Sequence, residues 1–142
     1  MSARFLNIDV EVRDTADPTA LRTAFGADIS VLHVGTDADG LFLFTFEAIL
    51  ADTDDPAVVA EALCTVIEGL DAPARAHWHA VRDRVFDLGY EAELTGPVSS
   101  PVFSPSLLRR LADLDVRLAI SIYVPQLRPD SAPDLLAPGA NC

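Results

Sequence analysis

The sequence predicts an α+β protein, a two-layer sandwich in which a mainly antiparallel sheet carries helices on one face. Three observations lead there. Segments in which apolar and polar residues alternate are interleaved with segments whose apolar residues recur every three to four positions. Several of the latter open on an Asp or Ser followed by Pro, the pairing of a cap with a residue suited to the first helical turn. The resulting order, β-α-β-β-α-α-β-α-β, fits helices segregated to one side of a single sheet, most simply a ferredoxin-like core with an added helix and strand. The 142 residues suffice for one domain and half of them are hydrophobic. A chain of that size buries roughly two-thirds of its unfolded surface. The domain is expected over residues 1–124.

The first strand rests on Leu6, Ile8, Val10 and Val12 alternating with Asn7, Asp9, Glu11 and Arg13. Asp17-Pro18 then starts a short helix with Leu21, Ala24 and Phe25 on its apolar side, and Gly26 ends it. Strands over Ile29–Val34 and Leu41–Ala48 flank Gly35 to Gly40, where Asp39-Gly40 signals a hairpin. Phe42, Phe44 and Phe46 share one face of the second of these strands and are expected in the core. Asp54-Asp55-Pro56 opens a helix running to Gly69, with Val59, Leu63, Val66, Ile67 and Leu70 at helical spacing. A third helix is expected from Pro73 to about Arg84, with Trp78 and Val81 turned inward.

The period then returns to two. Phe86, Leu88, Tyr90, Ala92 and Leu94 alternate with Asp87, Gly89, Glu91 and Glu93, a strand with one acidic face. Gly89 leaves open the alternative of a longer helix ending there. A Pro-containing loop, Thr95–Ser104, leads to a helix from Ser104-Pro105 to about Asp113. The last strand, Arg117–Val124, sets Leu118, Ile120, Ile122 and Val124 on one side. Residues 125–142 hold four prolines without periodicity and are expected to form a disordered tail.

Burying the apolar sets against the helices leaves the opposite sheet face to Asn7, Asp9, Glu11, Asp87, Glu91, Glu93, Ser121 and Tyr123. If their three strands adjoin, that face is an open acidic surface. A one-residue slip in register would exchange the two faces.

Charge narrows the function. The net charge is −12, and all ten basic residues are Arg. Nucleic acid and anionic membrane surfaces both ask for a basic footprint, so neither is an expected partner. Without lysine there is no phosphate-binding loop of the Walker kind and no Schiff-base chemistry. Cys64 falls beside an apolar helical stripe and Cys142 ends the tail, so no disulfide framework is expected. This usage, the absence of an apolar signal core near Met1, and the lack of a stretch of about 20 apolar residues give a cytoplasmic expectation.

The candidate chemical motifs are weak. His77 and His79 stand two apart on an expected helix and point to different sides, so they do not ligate one metal; His79 and Asp83 supply two ligands where zinc needs three or four. Asp37, Asp39 and Gly40 suit a hairpin turn better than a calcium loop, whose later positions here hold Leu41, Leu43 and Ile49. Glu91 and Glu93 share a strand face at roughly 7 Å, a spacing some glycosidases use. A small open sheet, however, offers such a pair no desolvated pocket. No Gly-x-Ser-x-Gly elbow occurs. No catalytic residue, metal or cofactor is therefore assigned.

The run from Leu107-Leu108-Arg109-Arg110-Leu111-Ala112 through Ile120-Ser121-Ile122-Tyr123 resembles the C-terminal signature of a bacterial family, domain-of-unknown-function family 4279. Phe86-Asp87-Leu88-Gly89-Tyr90-Glu91 is similar to that family's preceding strand. The resemblance would cover about residues 5 to 124, and Asp115 departs from it, a glycine being commoner there. It implies a small cytoplasmic bacterial protein and brings no catalytic residues; some relatives look like immunity proteins paired with toxins. The expected function is thus a non-enzymatic protein-binding module, an immunity-type inhibitor of a basic partner. Asp9, Glu11, Asp87, Glu91 and Glu93 would steer that partner and Tyr123 would anchor it. The alternatives are a small metal-dependent or carboxylate-based hydrolase, and a homo-oligomeric housekeeping module such as a homodimer.

Overall fold

The computed structural model describes residues 2–96 and 100–125. The tail expected over 125–142 lies outside them apart from Pro125. Five strands form one sheet in the order β2-β3-β1-β4-β5: β1 (Ser2–Asp14), β2 (Ile29–Thr36), β3 (Phe42–Ala48), β4 (Asp83–Glu93) and β5 (Arg117–Tyr123). The first four pair antiparallel in the arrangement of a split βαβ core, and β5 adds in parallel to β4. The helices are α1 (Thr19–Phe25), α2 (Pro56–Glu68), α3 (Ala72–Ala80) and α4 (Pro105–Asp113). This is the two-layer α+β sandwich that the element order implies. No helix among the described residues is long and apolar enough to cross a membrane.

The helix starts follow the cap logic. Asp55, Asp71 and Ser104 each accept a hydrogen bond from a backbone N–H of the first turn, and a proline sits in that turn each time. At α1 the proline is itself the cap, while the Asp17 carboxylate accepts from the Thr19 amide at 2.9 Å. The hairpin between β2 and β3 closes on Asp37. Its Oδ1 accepts from the amides of Asp39 and Leu41, and Gly40 takes the positive φ of 79°.

The core lies between the helices and one sheet face. Ile8, Val10 and Val12 of β1, Phe44 and Phe46 of β3, and Phe86 of β4 are fully enclosed there. They meet Leu63 and Ile67 of α2, Leu107 and Leu111 of α4, and Trp78 of α3 in one apolar cluster. Phe25 of α1 packs 4.9 Å from the Phe46 ring and edge-on to Trp78.

Five expectations need correction. Phe42, at the start of β3, is half-buried and stands outside the core cluster that Phe44 and Phe46 join. Leu6 is not in the core: the register of β1 against β4 shifts between Phe5 and Asn7, and this bulge leaves Leu6 42% exposed while Phe5 turns inward onto Tyr90. The third helix stops at Ala80, because Val81 is extended and β4 has begun by Asp83. His79 does not pair with Asp83. Its Nδ1 lies 2.6 Å from Asp115, and Asp83 instead takes a two-pronged bond from Arg117. Finally, the apolar side of β5 is not buried. Leu118, Ile120 and Ile122 do sit on the helix side, level with Phe86, Leu88 and Tyr90. The buried cluster under the helices, however, ends at Phe86, Leu88 and Tyr90 of β4 and includes none of these β5 residues, so all three are exposed.

Candidate functional site

The face away from the helices is built by the second half of each strand's alternation. Because Ile8, Val10 and Val12 point inward, Asn7, Asp9, Glu11 and Arg13 point outward, and Asp87, Gly89, Glu91 and Glu93 do the same on β4. β1, β4 and β5 are neighbours, so Asp9, Glu11, Asp87, Glu91, Glu93, Ser121 and Tyr123 do share one surface.

That surface divides by charge. At its margins carboxylates are met by arginines. Arg13 bonds Glu11 at 3.0 Å and reaches Asp37 at 3.3 Å. Arg4 bonds Glu91 at 2.7 Å and approaches Glu93 at 3.5 Å. Glu91 and Glu93 thus share one cation rather than facing an enclosed cavity. In the middle, Asp9 of β1 stands directly across from Asp87 of β4, with Glu47 of β3 on its other side. Among the described residues no arginine or histidine comes within ion-pair distance of these three. Only neutral groups hold them: Asn7 Nδ2 donates to Asp9 at 2.9 Å and to Glu47 at 3.1 Å, and Ser121 Oγ donates to Asp87 at 2.7 Å.

Like charges facing across strands are unfavourable. Partial burial, followed by the charges of Glu47, Asp87 and Glu11, raises the Asp9 carboxyl above its ordinary value despite the bond from Asn7. Folded Asp9 therefore keeps its proton to higher pH than unfolded Asp9. The resulting contribution to stability is present in acid and is lost as pH rises through the folded value. Asp9→Asn, a mimic of the protonated form, is expected to stabilise the fold at about pH 7 by roughly 0.2–1 kcal/mol, and by much less at about pH 3. Urea unfolding at the two pH values measures this; a loss of stability at neutral pH would contradict it.

Glu47 belongs to the cluster although the sequence reading did not single it out. Its signal was present, since a residue next to inward Phe46 must point outward. Tyr123, 53% exposed, covers Gly89: a Cβ at that glycine would come within 3.7 Å of the Tyr123 ring and 3.3 Å of Asn7 Oδ1. Tyr90, by contrast, is a core residue, and burial raises its phenol above the ordinary value. Beside the acidic cluster, at the β1 bulge, a cleft of about 250 Å³ is lined by Leu6, Asn7, Glu47, Leu50, Thr53 and Val59, among others.

The other motifs have structural explanations. Trp78 is enclosed between the two histidines, and His79 is engaged with Asp115. Asp115 adopts a φ of 57°, the left-handed conformation that glycine takes most readily. Cys64 is buried, and burial pushes its thiol up to about 11, so almost no thiolate forms at neutral pH. Among the described residues no three His, Cys, Asp or Glu side chains converge to hold a metal ion. No family model, curated protein or solved structure matches the chain.

Proposed function

We propose that this chain is a non-enzymatic protein-binding module whose open sheet face receives an Arg- or Lys-rich surface, in the manner of a cytoplasmic immunity-type inhibitor. One observation carries the reading: Asp9, Glu47 and Asp87 form a contiguous carboxylate cluster, on three adjoining strands, that no cation of the described residues neutralises. A cation from a partner would relieve the repulsion that raises Asp9. The neighbouring cleft suits an arginine or lysine stem, with Leu6, Leu50 and Val59 for its methylenes and Glu47 for its charge. Tyr123 adds an exposed aromatic on the same face.

The charge pattern also ranks the residues. Glu11, Glu91 and Glu93 already hold internal arginines, so they supply long-range steering. Asp9, Glu47 and Asp87 supply the contacts. Titrating the chain with an oligo-arginine peptide under amide-exchange or NMR observation is expected to perturb β1, β3 and β4 around these three, with binding lost between about 0.05 and 0.5 M salt. The triple variant D9N/E47Q/D87N is expected to weaken binding at least tenfold, whereas E91Q/E93Q weakens it less. Perturbations scattered evenly over the acidic surface, or full binding by the triple variant, would overturn the assignment.

A further inference from the structure

The two sheet edges are protected unequally. β2 carries a bulge between Val31 and His33, a device that spoils pairing with another chain. β5 runs in unbroken register from Arg117 to Tyr123. It has no proline, and after Arg117 no charge. Its outer edge is free among the described residues, since β4 occupies the other side. On the helix side it presents Leu118, Ile120 and Ile122 at 45%, 67% and 63% exposure. An unprotected edge with an apolar flank is a template for another strand.

We infer that β5 pairs antiparallel with β5 of a second copy of this chain about a two-fold axis at Ile120, joining two sheets into one of ten strands. The residue pattern selects this occupant, because it is self-complementary about position 120. Ile120 meets Ile120 of the second copy, and Leu118 meets Ile122. Across the open face Ala119 meets Ser121, and Arg117, whose charge Asp83 already holds, stands level with Tyr123. No like charges oppose one another along the strand. Residues 126–142 suit the edge less well, because they lack the two-residue alternation of β5 and Pro129, Pro133 and Pro138 divide them into runs of three or four residues.

This interface lies beside the acidic face and does not rest on the binding reading above. Salt separates the two. Each copy carries a charge of −12, so screening should strengthen self-association while it weakens capture of a basic partner.

The test uses the full chain with Cys142→Ser, which leaves buried Cys64 as the other thiol. Sedimentation should show a dimer that tightens with salt, and Ile120→Asp should weaken association at least tenfold with an unchanged circular dichroism spectrum. Under mild oxidation Ile120→Cys should crosslink to itself. Leu118→Cys should do so poorly alone but well when mixed with Ile122→Cys. A monomer at every concentration and salt overturns the inference, and slow amide exchange of β5 in that monomer would give the strip to residues 126–142. A dimer insensitive to Ile120→Asp, or equal self-crosslinking at 118 and 120, overturns it as well.

Discussion

Trp78→Ala is expected to lower the stability of the fold by about 3–5 kcal/mol. The indole is fully enclosed, stands edge-on to Phe25 at 6.1 Å, and donates from Nε1 to the Leu114 carbonyl at 2.8 Å. It therefore does two separable things. Its rings fill the space between α1, α3 and the sheet, and its N–H ties α3 to the turn after α4. Trp78→Phe should keep most of the apolar contact while leaving the Leu114 carbonyl without its partner, at a cost of roughly 1–3 kcal/mol. Domains of this size have only about 5–15 kcal/mol in total, so the Ala variant should unfold at much lower urea concentration. Circular dichroism is the appropriate signal, because Trp78 is the only tryptophan. An Ala variant within about 1 kcal/mol of the parent would mean that the indole cavity collapses at little cost.

The sequence made Trp78 legible as a core residue because helical spacing and size both pointed inward. The same holds for the strand faces: alternation around Ile8, Phe44 and Phe86 places every residue of the acidic face, Glu47 included. The Asp55 and Ser104 caps were legible because a single Asp or Ser beside a proline performs the chemistry locally. What was not legible depends on distance. Leu6 and Phe5 exchange roles through a bulge that only the pairing with β4 defines. The apolar side of β5 has the same period whether buried or bare, and its exposure follows from where the buried cluster under the helices ends. The division of the acidic face into neutralised margins and an unneutralised middle likewise turns on where long Arg4 and Arg13 side chains reach across strands.

The end of α3 shows the same limit, and its cause supplies the second large expected effect. Nothing between Trp78 and Arg84 breaks a helix by type, since neither Gly nor Pro occurs there. The helix ends because Arg84, placed by β4 on the helix side opposite Val12, reaches into its last turn. Nη1 donates to the carbonyls of Val81 at 2.7 Å, Trp78 at 2.9 Å and His79 at 3.3 Å, and Nε donates to Asp115 at 3.0 Å. The Trp78 and His79 carbonyls are ones that the end of α3 leaves without amide partners. One cationic fork thus replaces several backbone bonds, adds a positive charge at the negative end of α3, and joins α3, β4 and the α4–β5 turn. Arg84→Ala is expected to cost about 2–4 kcal/mol, less than four charged hydrogen bonds in sum because water reaches part of the site. Arg84→Lys should recover less than half, as a single ammonium cannot span carbonyls from both segments. Amide exchange should show the last turn of α3 and residues near Asp115 opening together in both variants. If Lys restores full stability, the charge rather than the fork ends the helix; if α3 alone loosens, the link to Asp115 carries no energy.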